Sequence, residues 1–104
     1  MSVSVQTSKQ SGEVVIEIDG EFNFDKVMDF REAFSSIENV SSNLVVDLTA
    51  CDYMDSAALG ALLILKSQLG KGNLEITLRV RDSLVLKTLK AAHFERKFSI
   101  EEVG

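Results

Sequence analysis

Residues 44–60 read Leu44-Val45-Val46-Asp47-Leu48-Thr49-Ala50-Cys51-Asp52-Tyr53-Met54-Asp55-Ser56-Ala57-Ala58-Leu59-Gly60. The first five are nearly continuous in apolar and β-branched residues, as in a central strand buried on both faces. A loop follows. From Ala57 to Leu69, the leucines Leu59, Leu62, Leu63 and Leu69 fall on a helical stripe, and Lys66 suits the negative end of that helix's dipole. On the residues alone, Ser56 reads as the N-cap, its oxygen accepting a backbone N–H two or three residues on. Gly60 inside the helix reads as a close approach of helix to sheet, at a cost of about 1 kcal/mol. Strand, short loop and helix in succession is the repeating unit of an α/β sheet protein.

The same unit recurs on either side. Upstream, Val14, Ile16 and Ile18 alternate with Val15, Glu17 and Asp19, a strand over 13–19 with one buried face. Val3 and Val5 alternate with Ser2, Ser4 and Gln6, and Lys9-Gln10-Ser11-Gly12 supplies a turn, so the first two strands form a hairpin. Asp25 stands as the N-cap of a helix ending near Glu38, whose Val27, Phe30, Phe34 and Ile37 share one face. Downstream, Gly70 and Gly72 stop the second helix, and Leu74, Ile76, Leu78 and Val80 alternate with Glu75, Thr77 and Arg79 in a further strand. Asp82 or Ser83 caps a last helix to about Ala92 carrying Val85, Leu86 and Leu89, and Phe98-Ser99-Ile100 adds a short final strand. The order ββαβαβα(β) predicts an α/β fold, a mixed, mostly parallel sheet with helices packed on it, in one domain over 1–104.

Composition agrees and excludes several functions. With 104 residues, 45% hydrophobic and 26% charged, the chain buries roughly 65% of its surface on folding. It is too apolar for a disordered chain. The longest run of large apolar residues, Leu62 to Leu65, falls far short of a membrane span, and Met1-Ser2-Val3 opens no signal peptide, so a cytoplasmic protein without membrane insertion is expected. The single Cys51 forms no internal disulfide, and no Cys/His cluster has zinc-site spacing. The net charge of −5 has the wrong sign for a nucleic-acid binder. That charge is uneven: residues 1–65 carry three bases against eleven acids, net −8, and residues 66–104 carry eight against five, net +3.

Catalytic candidates are few. His93 is the only histidine and no G-x-S-x-G elbow exists, which leaves hydrolase chemistry little support. At the end of a predicted helix, His93 reads as a C-terminal turn residue. The six glycines are scattered singly, so neither phosphate-binding glycine motif is present. Cys51 has no neighbouring base and reads as a small hydrophobe. The carboxylates Asp47, Asp52 and Asp55 lack a D-x-D pattern and ligands from a second loop, so neither a metal nor a cofactor is expected.

Asp47-Leu48-Thr49, then Met54-Asp55-Ser56-Ala57-Ala58-Leu59-Gly60, then Leu89 with Phe94, Phe98 and Ile100 resemble the bacterial STAS domain of the anti-sigma factor antagonist family. The likeness spans nearly the whole chain. In that family a serine following aspartate at the helix start is phosphorylated, and Ser56 holds that position. The resemblance implies a non-catalytic, partner-switching protein. Unmodified, it would bind a GHKL-type serine kinase that is also an anti-sigma factor; that kinase would phosphorylate Ser56, and a PP2C-type phosphatase would reset it, with a downstream regulatory target beyond. The implied partner-binding surface comprises Asp47, Thr49, Asp52, Tyr53, Met54, Asp55, Ser56, Ala57 and Leu59. Two residues depart from the pattern. Ala57 replaces a Ser/Thr often found after the phosphorylated serine, and His93 stands where a helix-ending glycine is usual. The alternative implied by the same fold is an accessory STAS subunit of a phospholipid-transport ABC system.

Overall fold

A computed structural model of the chain describes residues 3–7, 13–35, 37, 43–70 and 74–104. Along the chain run β1 (Val3–Thr7), β2 (Val14–Ile18), β3 (Gly20–Phe22), α1 (Phe24–Ser35), β4 (Asn43–Asp47), β5 (Cys51–Met54), α2 (Ser56–Leu69), β6 (Glu75–Arg81), α3 (Leu84–Ala91), a 3-10 turn (Phe94–Arg96) and β7 (Ser99–Val103). The main sheet has the order β1-β2-β4-β6-β7. β1 is antiparallel to β2 and every later pair is parallel. Because the order advances one way across the sheet and parallel crossovers are right-handed, α1, α2 and α3 all fall on the same face.

That face carries the core. Ile16, Ile18, Leu44, Val46, Leu78 and Val80 from the sheet meet Phe30, Phe34, Leu62, Leu65, Val85 and Leu89 from the helices in one buried cluster. Phe22, Phe30 and Phe34 form an edge-to-face chain with ring centroids 5.1 and 5.3 Å apart, the arrangement aromatic quadrupoles favour. On the other face, Glu17, Asp47, Arg79 and Glu101 are successive register partners across four strands. Arg79 Nε donates to Glu101 Oε1 at 2.8 Å, and its Nη1 lies 3.8 Å from Asp47 Oδ2.

The β1–β2 hairpin and the strands β2, β4 and β6 stand where the sequence places them, while the final strand starts after Phe98 and runs on to Val103. The hairpin turn at 9–12, Glu38 and Gly72 lie outside the described residues. The segment expected to be a loop is different: β5 pairs in parallel with β3 as a second, two-stranded sheet, with Gly20 opposite Cys51 and Phe22 opposite Met54. Gly20 has φ 70°, a conformation glycine adopts without cost, and this turns the chain from β2 into β3.

The helices also differ in detail. α1 begins one residue before Asp25, whose N–H donates to Asn23 Oδ1 at 3.0 Å, so Asn23 does the capping. At about 100° per residue Lys26 lies only about 40° from Phe30 around the helix. It is accordingly buried, and its ammonium donates to the Asp19 carbonyl. In α2 the buried face is Ala58, Ala61, Leu62 and Leu65, and Leu63 is exposed. Gly60 lies about 200° from Ala58, and a Cβ there would meet nothing within 4 Å. The close approach is made by the two alanines instead. His93 has φ 59° and ψ 36°, the left-handed conformation for which glycine is usual after a helix.

Candidate functional site

Two strand-to-helix junctions lie side by side. β3 runs into α1 and β5 runs into α2, and the Asp55 N–H donates to the Phe22 carbonyl at 3.3 Å between them. Asp55 is the N-cap of α2, its Oδ1 accepting from the Ala58 N–H at 2.9 Å. Its Oδ2 accepts from the Phe24 N–H, the first residue of α1, at 3.0 Å. One carboxylate therefore serves the positive ends of two helices. Asp and Ser are both strong N-cap residues, and here the aspartate takes the role expected of Ser56.

Ser56 is the first residue of α2 and is exposed. Each oxygen of the neighbouring Asp55 carboxylate accepts from a backbone N–H, Oδ2 from Phe24 and Oδ1 from Ala58. The Ser56 hydroxyl stands at the N-terminal end of α2, a helix end at which negative charge is favoured.

The other expected contact residues divide along the chain. Asp47 and Thr49 lie beyond the far end of β5, where Asp47 Oδ1 accepts from the Thr49 N–H at 2.9 Å and from its Oγ1 at 2.7 Å. They knit the β4–β5 turn. With Ser4, Glu17 and Asp19 they line a small pocket of about 120 Å³. Along β5, Asp52 and Tyr53 are exposed while Met54 is 4% exposed and belongs to the core. Ala57 and Leu59 are half-buried, Leu59 packing against the core. The solvent-facing part of the site is thus Asp52, Tyr53 and Ser56, with the half-buried Asp55 beneath.

Sequence reading missed Phe24, which is 73% exposed at the residue bonded to Asp55, and Met28, 62% exposed one turn on. Phe24 precedes Val27 by three, the spacing of the apolar stripe. Around the helix, however, it lies about 120° from Phe30, which turns it away from the core. Its only sequence signal is that phase.

Burial pushes the Cys51 thiol up from its ordinary value, and its Sγ donates to the Tyr53 carbonyl at 3.3 Å. It is a packed, unreactive thiol. Among the described residues no group of acidic, histidine or cysteine side chains is set to hold a metal, and no helix is long and apolar enough to cross a membrane.

The chain is thus an α/β domain with one helix-covered sheet face and an exposed serine opening the helix that follows β5. A family model for the STAS domain matches residues 4–103, and the chain belongs to that family. It is 36% identical over 100 residues, 96% of this chain and 99% of the relative, to a STAS-domain containing protein of Pseudomonas aeruginosa (strain UCBPP-PA14). Among solved structures, an anti-sigma factor antagonist from Mycobacterium paratuberculosis superposes with a TM-score of 0.81 at 20% identity, covering 96% of this chain and 86% of that one. A sulfate transporter family protein from Wolinella succinogenes gives 0.75 at 18% identity, covering 89% and 80%. At those identities the structural likenesses establish the shared fold.

Proposed function

We propose that this chain acts as an anti-sigma factor antagonist, a phospho-regulated binding module that engages a GHKL-type serine kinase while Ser56 is unmodified and leaves it once Ser56 is phosphorylated. The observation that carries this reading is the exposed Ser56 hydroxyl at the first position of α2, beside an aspartate whose two oxygens are committed to the backbone. The protein is then substrate and ligand, the kinase supplies catalysis and ATP, and a PP2C-type phosphatase restores the binding form. Asp52, Tyr53, Asp55 and Ser56 form the contact surface; Asp47 and Thr49 shape the turn beyond it.

A phosphoserine adds about −1.5 to −2 charges at neutral pH. At a helix N-terminus the backbone N–H groups and the dipole accommodate it, so the fold survives. A partner docked over the site would have to desolvate that dianion beside Asp52 and Asp55, which is what separates the two. Retention of both Asp55 and Ser56 favours this switch over the accessory role in a lipid transporter, which needs no phosphorylation cycle. Incubation with the cognate kinase and ATP, followed by intact mass and peptide mapping, tests it. A single phosphate on Ser56, absent from Ser56→Ala, is expected; phosphate at Ser67 or Ser83 with Ser56 unmodified would refute it.

A further inference from the structure

The basic C-terminal part of the chain gathers its charge at a place far from Ser56. An open, mostly polar hollow of about 360 Å³ is bordered by Lys66, Arg96 and Lys97, with the buried Ile76 and Phe98 beneath and Glu75 at its side. Ile76 and Phe98 are 4% and 6% exposed, and Phe98 stacks on Phe94 with centroids 5.3 Å apart. The Lys66 ammonium sits 5.7 Å from the Phe98 ring centroid, which holds one cation at the border. Arg96 and Lys97 are exposed, and no described carboxylate pairs with either. The one acid present, Glu75, accepts from Ser99 Oγ at 2.7 Å. Three cations against one carboxylate leave a local surplus of positive charge in a chain whose net charge is −5.

We infer that this hollow is a second docking site, which takes an acidic peptide segment of a partner protein. The exposed cations at its border would meet the carboxylates of such a segment in charge-assisted contacts. A lipid surface fits less well, since membrane binding uses apolar side chains that protrude, and here they lie buried beneath the hollow. Nucleic acid would meet the negative potential of the rest of the molecule.

The site does not rest on phosphorylation. Lys66 lies ten residues beyond Ser56 on α2, roughly 15 Å along the helix axis. The screening length at physiological salt is about 8 Å, so a phosphate at Ser56 exerts little force there. The hollow would therefore keep its ligand in both states of the switch, holding a second protein while the first comes and goes.

The test is fluorescence anisotropy with a short glutamate-rich peptide, beside its lysine-rich counterpart, inorganic phosphate as competitor and phosphatidylglycerol vesicles. Saturable binding of the acidic peptide is expected, weakened about tenfold or more by Arg96→Glu with Lys97→Glu, weakened by added salt, and changed less than about twofold by Ser56→Asp. Both reversed residues are exposed, so an unchanged melting curve for that variant keeps the comparison clean; Lys66→Gln, which should weaken binding by a smaller factor, serves as the second variant. Peptide binding indifferent to the charge reversals, equal binding of the lysine-rich peptide, displacement by phosphate alone, or binding to vesicles without binding to the peptide would each overturn it.

Discussion

Asp55 Oδ2 lies 3.0 Å from the backbone nitrogen of Phe24, so the residue next to the candidate phosphorylation site also fixes where α1 begins. Loss of the cap on α2 costs about 1 kcal/mol, and loss of the charged bond to Phe24 adds to it. Asp55→Ala should therefore lower stability by about 1–3 kcal/mol in urea denaturation. Asp55→Asn, which keeps an acceptor oxygen, should cost clearly less. Equal costs for the two would mean that the carboxylate does not bridge the helices.

Gly60 reverses an expectation drawn from its position inside a helix. With open space where its Cβ would stand, only the backbone penalty of glycine remains. Gly60→Ala should raise stability by about 0.5–1 kcal/mol, or a few degrees in melting temperature. A destabilised variant would show that something packs against that position.

His93 holds a left-handed conformation at φ 59° that a side chain disfavours by about 1 kcal/mol. Its contact with Glu95 is 3.9 Å long between exposed groups and contributes little. His93→Gly should gain up to about 1 kcal/mol, reduced by glycine's greater freedom in the unfolded chain. A loss of stability in equilibrium unfolding would assign His93 a contact that outweighs its backbone strain.

The main sheet was readable because β6 alternates apolar with polar residues, Val14, Ile16 and Ile18 of β2 repeat every second position, and β4 is apolar and buried through Leu44–Val46. β5 was not, because Cys51-Asp52-Tyr53-Met54 buries only its two ends and owes its pairing to β3, thirty residues away in sequence and only three residues long. Lys26 was equally hidden: a lysine on a buried stripe is tolerated only where an acceptor meets its ammonium, and the Asp19 carbonyl does so through tertiary structure. At the site, the serine and aspartate were legible as a pair, while their division of labour was not. Capping depends on which of two adjacent good caps reaches the backbone N–H of Ala58.

Burial raises the Cys51 thiol's pKa, so the folded state holds its proton more tightly than the unfolded state does. The stability this brings is complete below the ordinary thiol pKa and is lost as pH rises through the raised folded value. Native protein should accordingly resist iodoacetamide at pH 8 under conditions that alkylate the urea-unfolded chain fully, and Cys51→Ala should flatten the decline in stability at alkaline pH. Rapid native alkylation would contradict the buried placement.

The most direct measurement is titration calorimetry of the cognate kinase against the unmodified protein, Ser56→Ala and the Ser56-phosphorylated form, with melting curves of all three. Mispairing a buried charge costs about 2–5 kcal/mol, a roughly 30- to 4,000-fold loss of affinity. The expected result is tight binding by the unmodified protein and by Ser56→Ala, a loss of that size on phosphorylation, and melting temperatures that barely differ. Equal affinities across the three, or a phosphorylated form that simply unfolds, would contradict a local electrostatic switch at Ser56.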